Sequence, residues 1–169
     1  MGWALAGLGK FPESLKHWAV AREAAKPLGG RLLFRESFAA IEAETLLQAG
    51  DTNAALSQAE EAITLAKVAG SAIAEALAER ALGRTLTAIP DRVGEALAHL
   101  SKSSTILETI GAKYDLTRAM LAQAKAQIAC VDRSGAAETL KKTVSLAREC
   151  KLETEESAAR ALLGELGEA

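Results

Sequence analysis

The sequence predicts an all-α fold assembled from repeated helix pairs, and three observations carry that expectation. Apolar residues make up 49% of the 169 residues but aromatics only 4%. Ala and Leu, the strongest helix formers, dominate the apolar set. Gly29, Gly70 and Gly111 are evenly spaced, and each opens a new helix-forming stretch (RLLFRESFAAIEAETLLQA, SAIAEALAERALGRTLTAI, AKYDLTRAMLAQAKAQIAC). Self-similarity at a fixed period of this size, about 41 residues, is the signature of a repeat architecture. The most complete unit, Phe38–Gly70, places Ala39, Ala43, Ala55, Ala59 and Ala62 where its two helices must touch. Leu82-Gly83 recurs as Leu163-Gly164, close to two periods later.

Taken in order, Met1 to Leu8 predicts a short first helix, with a turn at Gly9-Lys10. Pro12 suits the first position of the next helix, Pro12–Lys26, because its missing N–H costs nothing there. Leu15, Trp18 and Ala19 give that helix an apolar face, and Pro27 with Gly29-Gly30 ends it. The next pair is predicted near Leu32–Ala49 and Thr52–Ala69, with Asp51 or Thr52 capping the second helix. Leu56, Ala59, Ile63, Leu65 and Ala66 form its helical-period stripe. A third pair covers Ala72–Ala88 and Arg92–Ile110, broken at Pro90, with Asp91 as cap and Ala96, Leu97, Leu100, Ile106 and Leu107 facing inward. The fourth covers Asp115–Val131 and Ser134–Glu149, and a last helix covers Thr154–Gly167. No linker or low-complexity stretch interrupts the array. One domain over residues 1–169 is expected, in units 1–29, 30–70, 71–111, 112–151 and 152–169.

Composition narrows the function. Twenty basic and 22 acidic residues give a net charge of −2, which argues against a nucleic-acid partner, since that requires a basic surface to displace counterions. It argues equally against polybasic membrane attachment. No apolar run approaches the ~18 residues of a membrane span. The N-terminus has no basic region ahead of an apolar one, and Ala6 stands where myristoylation needs Ser or Thr. A cytoplasmic protein is expected. Cys130 and Cys150 have no metal-ligand spacing, and on adjacent antiparallel helices they would lie roughly 20 Å apart along the axis, beyond the ~7 Å a disulfide allows. They are expected to be small buried thiols.

An enzyme is not expected, nor a cofactor or metal. His17 and His99 sit inside second helices without Ser, Cys or carboxylate at a site-defining spacing, which implies structural or surface roles. Glu60-Glu61 and Glu155-Glu156 are adjacent and so diverge on a helix. Gly7-Leu8-Gly9 has neither the Gly-Lys-Ser/Thr nor the preceding strand of a phosphate loop.

The order of small and large residues resembles the tetratricopeptide repeat. Leu82-Gly83 with Leu86 matches that family's first-helix set, and Leu163-Gly164 matches part of it. Gly9-Lys10-Phe11 and Gly50-Asp51 match the turn into the second helix. Ala55, Ala59 and Ala62 match the second-helix set, and Trp18 followed by Ala21 matches it more fully. The resemblance spans nearly the whole chain. It departs in period, about 41 residues against about 34, and in having Ala or Leu at the aromatic positions. Such longer units are similar to the C-terminal arrays of bacterial regulators with an ATPase module, of nucleotide cyclases and of maltose-regulator-type activators. Ile106–Ala124 is the stretch most like them.

The resemblance implies a right-handed superhelix of about eight or nine helices in antiparallel pairs. It also implies that first helices line a concave groove, where a protein or peptide segment docks. On this register the groove includes Ser37, Ala40, Glu44 and Gln48, then Leu77, Arg80, Arg84 and Thr87, then Arg118, Leu121, Lys125 and Ile128. Of these, Glu44, Gln48, Arg80, Arg84, Arg118 and Lys125 are the candidate partner-binding residues. The four basic ones bias the groove positive and suit an acidic ligand, unless Glu75 and Glu79 neutralise the arginines. The lysine–asparagine clamp of chaperone-tail-binding members has no counterpart here, since Asn53 is placed in a turn. The expected function is a protein–protein interaction scaffold within a larger regulatory protein. A small-molecule sensor arm is the alternative, and a helical RNA reader is disfavoured by charge. The chain starts inside one unit and stops inside another, as a fragment of a longer array would. Apolar ends (Trp3, Leu5, Leu162, Leu163, Leu166) are then expected to self-associate.

Overall fold

A computed structural model describes residues 1–28 and 34–168, the side chains of Trp3 and Leu28 excepted. The described residues contain helices and turns but no strand. The helices are α1 (Gly2–Gly7), α2 (Phe11–Ala25, extended by a 3-10 turn at Lys26–Leu28), α3 (Arg35–Gln48), α4 (Thr52–Ala69), α5 (Ala72–Thr87), α6 (Val93–Thr109), α7 (Lys113–Ala129), α8 (Arg133–Glu149) and α9 (Glu153–Glu165). The expected boundaries hold to within one or two residues at most ends. Gly29, Gly30, Leu32 and Leu33 lie outside the described residues. Among the described residues no helix is long and apolar enough to cross a membrane.

Consecutive helices pack on one another, and odd-numbered helices also meet the next odd-numbered one: α1 with α3, α3 with α5, α5 with α7, α7 with α9. No pair of even-numbered helices meets among the described residues. The odd helices therefore form one continuous layer, and the even helices pack against it singly. Alanine makes this possible. Ala43, Ala55, Ala59 and Ala62 are fully buried and Ala39 nearly so, so backbones approach across methyl groups rather than across long side chains. Half-buried Leu56, Ile63 and Leu65 fill the flanks. The largest fully buried apolar side chains, Leu86, Leu100, Leu107 and Leu140, lie on α5, α6 and α8. α5 touches four other helices and buries eleven of its sixteen residues.

The turns share one backbone device. A left-handed residue recurs after odd helices at Gly9, Gly50, Asp91 and Val131, and after even helices at Gly70, Gly111 and Lys151. From Gly9 to Val131 and from Gly70 to Lys151 these residues stay one repeat period apart to within a single position, whereas left-handed Gly167 after α9 comes short of a full period, and glycine is retained at only some of the positions. After most of these residues, the next N–H returns to a carbonyl five residues back, as from Asp51 to Leu46 at 3.0 Å and from Asp132 to Gln127 at 2.9 Å. This satisfies carbonyls that a helix end leaves open. Asp51 caps α4 by accepting from Ala54 N–H, and Asp132 caps α8 by accepting from Gly135 N–H.

Several expectations are corrected. Asp91 does not cap α6: it holds a left-handed conformation, and Arg92 takes the cap position without a side-chain bond. Asn53 is the second residue of α4 rather than part of a turn. Ala19 is exposed on α2, whereas Trp18 is buried, with its ring 5.9 Å from that of Phe38 on α3. Cys130 and Cys150 are free, but Cys130 is exposed and Cys150 half-buried, because each stands at a helix C-terminus rather than on an inward face. Of the apolar end residues, Leu163 is buried by α7 and α8 while Leu5, Leu162 and Leu166 are half-buried. The side chain of Trp3 lies outside the described residues.

The two Leu-Gly pairs part company. A methyl group on Gly83 would lie 2.6 Å from Leu100 Cγ and 3.0 Å from the Ala96 carbonyl oxygen, whereas one on Gly164 would meet nothing within 4 Å. Gly83→Ala is therefore expected to destabilise the protein by about 1–3 kcal/mol through overpacking against α6. Gly164→Ala should stabilise it by up to about 1 kcal/mol, the ordinary helix-propensity gain. Urea denaturation of both variants measures this. Changes of the same sign at the two sites would refute the close α5–α6 approach.

Candidate functional site

The face shared by the odd helices carries a cavity of about 610 Å³. Side chains four residues apart on a helix share a face, so Glu44 and Gln48 of α3 and Arg80 and Arg84 of α5 each arrive as a pair. Arg118 and Lys125 of α7 stand two turns apart. All six candidate residues line this cavity. Leu77, Thr87 and Leu121 line it as well; Ser37, Ala40 and Ile128 do not, and Ala40 is buried in the core instead. Ile41, Leu47, Leu77 and Leu121 supply the apolar part of the wall, and Ala6 and Gly7 of α1 stand at one margin.

The charges are not free, as a simple positive groove would require. Arg80 donates through Nε to Glu44 Oε1 at 2.8 Å and through Nη1 to Asp115 Oδ1 at 3.1 Å. Arg84 Nη1 donates to the other Glu44 oxygen at 2.6 Å, and Arg118 Nε donates to Glu155 Oε1 at 2.8 Å. A ladder of two sets of ion pairs thus crosses the layer: Glu44, Arg80, Arg84 and Asp115 tie α3, α5 and α7, and Arg118 with Glu155 ties α7 to α9. Glu75 and Glu79, the acids expected to neutralise these arginines, face α6 instead. Lys102 Nζ lies 2.7 Å from each of them, and His99 Nδ1 lies 2.6 Å from buried Glu79. His99 therefore does meet a carboxylate, twenty residues back in the chain. Among the described residues no group of three or more ligand-type side chains could hold a metal ion.

Burial divides the cavity residues by role. The Arg80 side chain is 6% exposed and bracketed by two acids, so its donors are used within the protein. Arg84 and Arg118 are 30% and 33% exposed, and each keeps terminal N–H groups with no acceptor among the described residues. Lys125 and Gln48 are exposed, and Lys125 has no ion pair among the described residues. Tyr114, also at the cavity, lies with its ring centroid 4.5 Å from the Arg118 guanidinium carbon, within range of a cation–π attraction.

Sequence reasoning missed the apolar wall residues Ile41 and Leu47 and, among the polar and aromatic residues that contact the arginines, Asp115, Glu155 and Tyr114. Their signal was faint but present: each acid stands 35 to 37 residues after the arginine it meets, somewhat less than one repeat. Comparison of the chain with protein-family models and with curated proteins finds no match in either.

Burial pushes the Glu44 carboxyl up, but Arg80 and Arg84 outweigh it and hold the group at about 2, against an ordinary 4.5. For Arg80, burial works against the charge, and Glu44 and Asp115 more than restore it. A carboxyl depressed by folding stabilises the native state above its unfolded pKa, and this contribution fades as pH falls through the folded value. Stability from Glu44 should therefore be complete above about pH 4.5 and be lost towards pH 2. Glu44→Gln is expected to be less stable than wild type at neutral pH, with the gap closing across that window. Denaturation midpoints measured at intervals of pH test this; a gap independent of pH would contradict the ladder.

Proposed function

We propose that this chain is a protein–protein interaction scaffold that takes an acidic peptide or partner segment in the groove along α3, α5, α7 and α9. The observation that carries this reading is the placement of unpaired donors of Arg84, Arg118 and Lys125 beside an apolar wall on one shared face. A guanidinium offers two parallel donors to a carboxylate, and apolar side chains flanking the acid would sit against Ile41, Leu47 and Leu121. Arg80 and Glu44 serve in this reading as the fixed frame on which the outer donors are held. We further read the helix pairs as a tetratricopeptide-like array with a right-handed superhelical course, forming one segment of a larger regulatory protein. The even spacing of the left-handed turn residues and the continuous odd-helix layer support that reading.

A sensor arm for a small molecule is the second reading. The cavity volume favours it, since 610 Å³ falls within the roughly 300–1,000 Å³ usual for small-ligand sites.

Charge reversal separates the two. Arg84→Glu together with Arg118→Glu should abolish capture of a short acidic peptide on beads, and wild-type capture should weaken as salt screens the contact. An unchanged capture profile would end the peptide reading. Stabilisation by a metabolite in a thermal-shift screen, where a ligand of the folded state raises the midpoint, would favour the sensor instead.

A further inference from the structure

The acids at the cavity do not hold their arginines equally. Glu44 is engaged by two arginines at once, one of them almost fully buried. Glu155 meets a single arginine, Arg118, which is a third exposed on the cavity wall. We propose that Glu155 is a resident competitor: its carboxylate occupies the Nε edge of Arg118 and must withdraw before an acidic ligand takes that guanidinium in full. This rests on the reading of the groove as a site for acidic segments, and it makes α9 the helix that sets the affinity of the site.

Glu155 is not an ordinary surface acid. Its side chain is only 12% exposed, and it lines the cavity. Its neighbours in the first turn of α9 behave differently: Glu153 is exposed, and Glu156 turns away to Arg148 and Arg160, 3.0 Å from each. Only one acid of that turn enters the cavity, and it meets the one cavity arginine whose sole carboxylate partner comes from the following odd helix. Glu155 has one attraction to give up, to a guanidinium that is a third exposed and so open to water and to an arriving carboxylate. Glu44, at similar burial, is held by two arginines, and withdrawing it would take a partner from the 6%-exposed Arg80 guanidinium, which cannot turn to water instead. An arriving carboxylate therefore displaces Glu155 before it can displace Glu44. The displacement frees the first turn of α9 from α7, and α9 then keeps its packing on α8.

Fluorescence-polarisation titration of a short labelled peptide of alternating Glu and Leu, using the full chain, tests this. Glu155→Gln should bind roughly tenfold tighter, the equivalent of one charge-assisted hydrogen bond no longer contested. The gain should vanish in an Arg118→Met background. Glu156→Gln, which removes the same charge from the same turn, should bind as wild type does. Unchanged or weaker binding by Glu155→Gln overturns the proposal. So does a gain that persists without Arg118, since that is a long-range charge effect. Should the amide variant fail to fold, Glu155→Ser supplies the same comparison. If neither wild type nor Glu155→Gln binds the peptide, the groove reading falls and the competitor with it. If wild type binds in an Arg118-dependent way and Glu155→Gln gains nothing, only the competitor is lost.

Discussion

Arg80 is a buried, charged side chain on the most buried helix of the chain, and the positions of three helices follow from it. Its guanidinium reaches Glu44 on α3 and Asp115 on α7. Removing a charge from water costs several kcal/mol unless well-aligned partners offset it, so the two carboxylates cannot drift without exposing that cost. The alanine contacts set how closely the helices approach. They are non-directional, however, and would tolerate sliding along the axis. The ion pairs add direction, fixing which turn of α3 and which turn of α7 lie beside the middle of α5.

The other face of α5 follows the same logic. Glu79 is adjacent to Arg80 and therefore points elsewhere on the helix, into contact with His99 and Lys102 of α6. Ser103, fully buried on α6, donates to the Ala76 carbonyl at 2.7 Å and adds a neutral tie between the same two helices. Two neighbouring residues of opposite charge thus bind α5 to both layers at once. The cavity lies beside this doubly fixed helix, which presents Arg80 and Arg84 to it.

The helices were legible because their signals are local. Ala-rich periodicity, Asp51 before α4 and the broken run at Pro90 each act within a few residues, and the boundaries followed. The faces of α3, α5 and α7 were legible in part for the same reason, since Glu44 with Gln48 and Arg80 with Arg84 obey helical spacing on their own, although Ser37, Ala40 and Ile128 fall outside the cavity. What stayed hidden was which acid answers which base. Glu155 and Asp115 act through one helix-to-helix step, and nothing near them in the chain marks the contact. Asp91 misled for a related reason. Aspartate before a helix reads as a cap, but here it occupies the left-handed position that glycine holds in sister turns. The backbone requirement persists at Val131 and Lys151 as well, where no residue type advertises it.

Because among the described residues each helix touches only helices one or two places away, nearly every contact there joins segments close in the chain. Low contact order of this kind favours rapid folding, since little chain entropy is lost before a contact forms. It also divides the molecule's resistance to opening unevenly. α5, enclosed by four neighbours, can be released only with its surroundings, whereas α9 buries just Ala159 and Leu163 and can open as a local event. The helix that carries Glu155 is thus one whose detachment disturbs little of the rest of the fold, and slow amide exchange should concentrate in α5 and decline towards it.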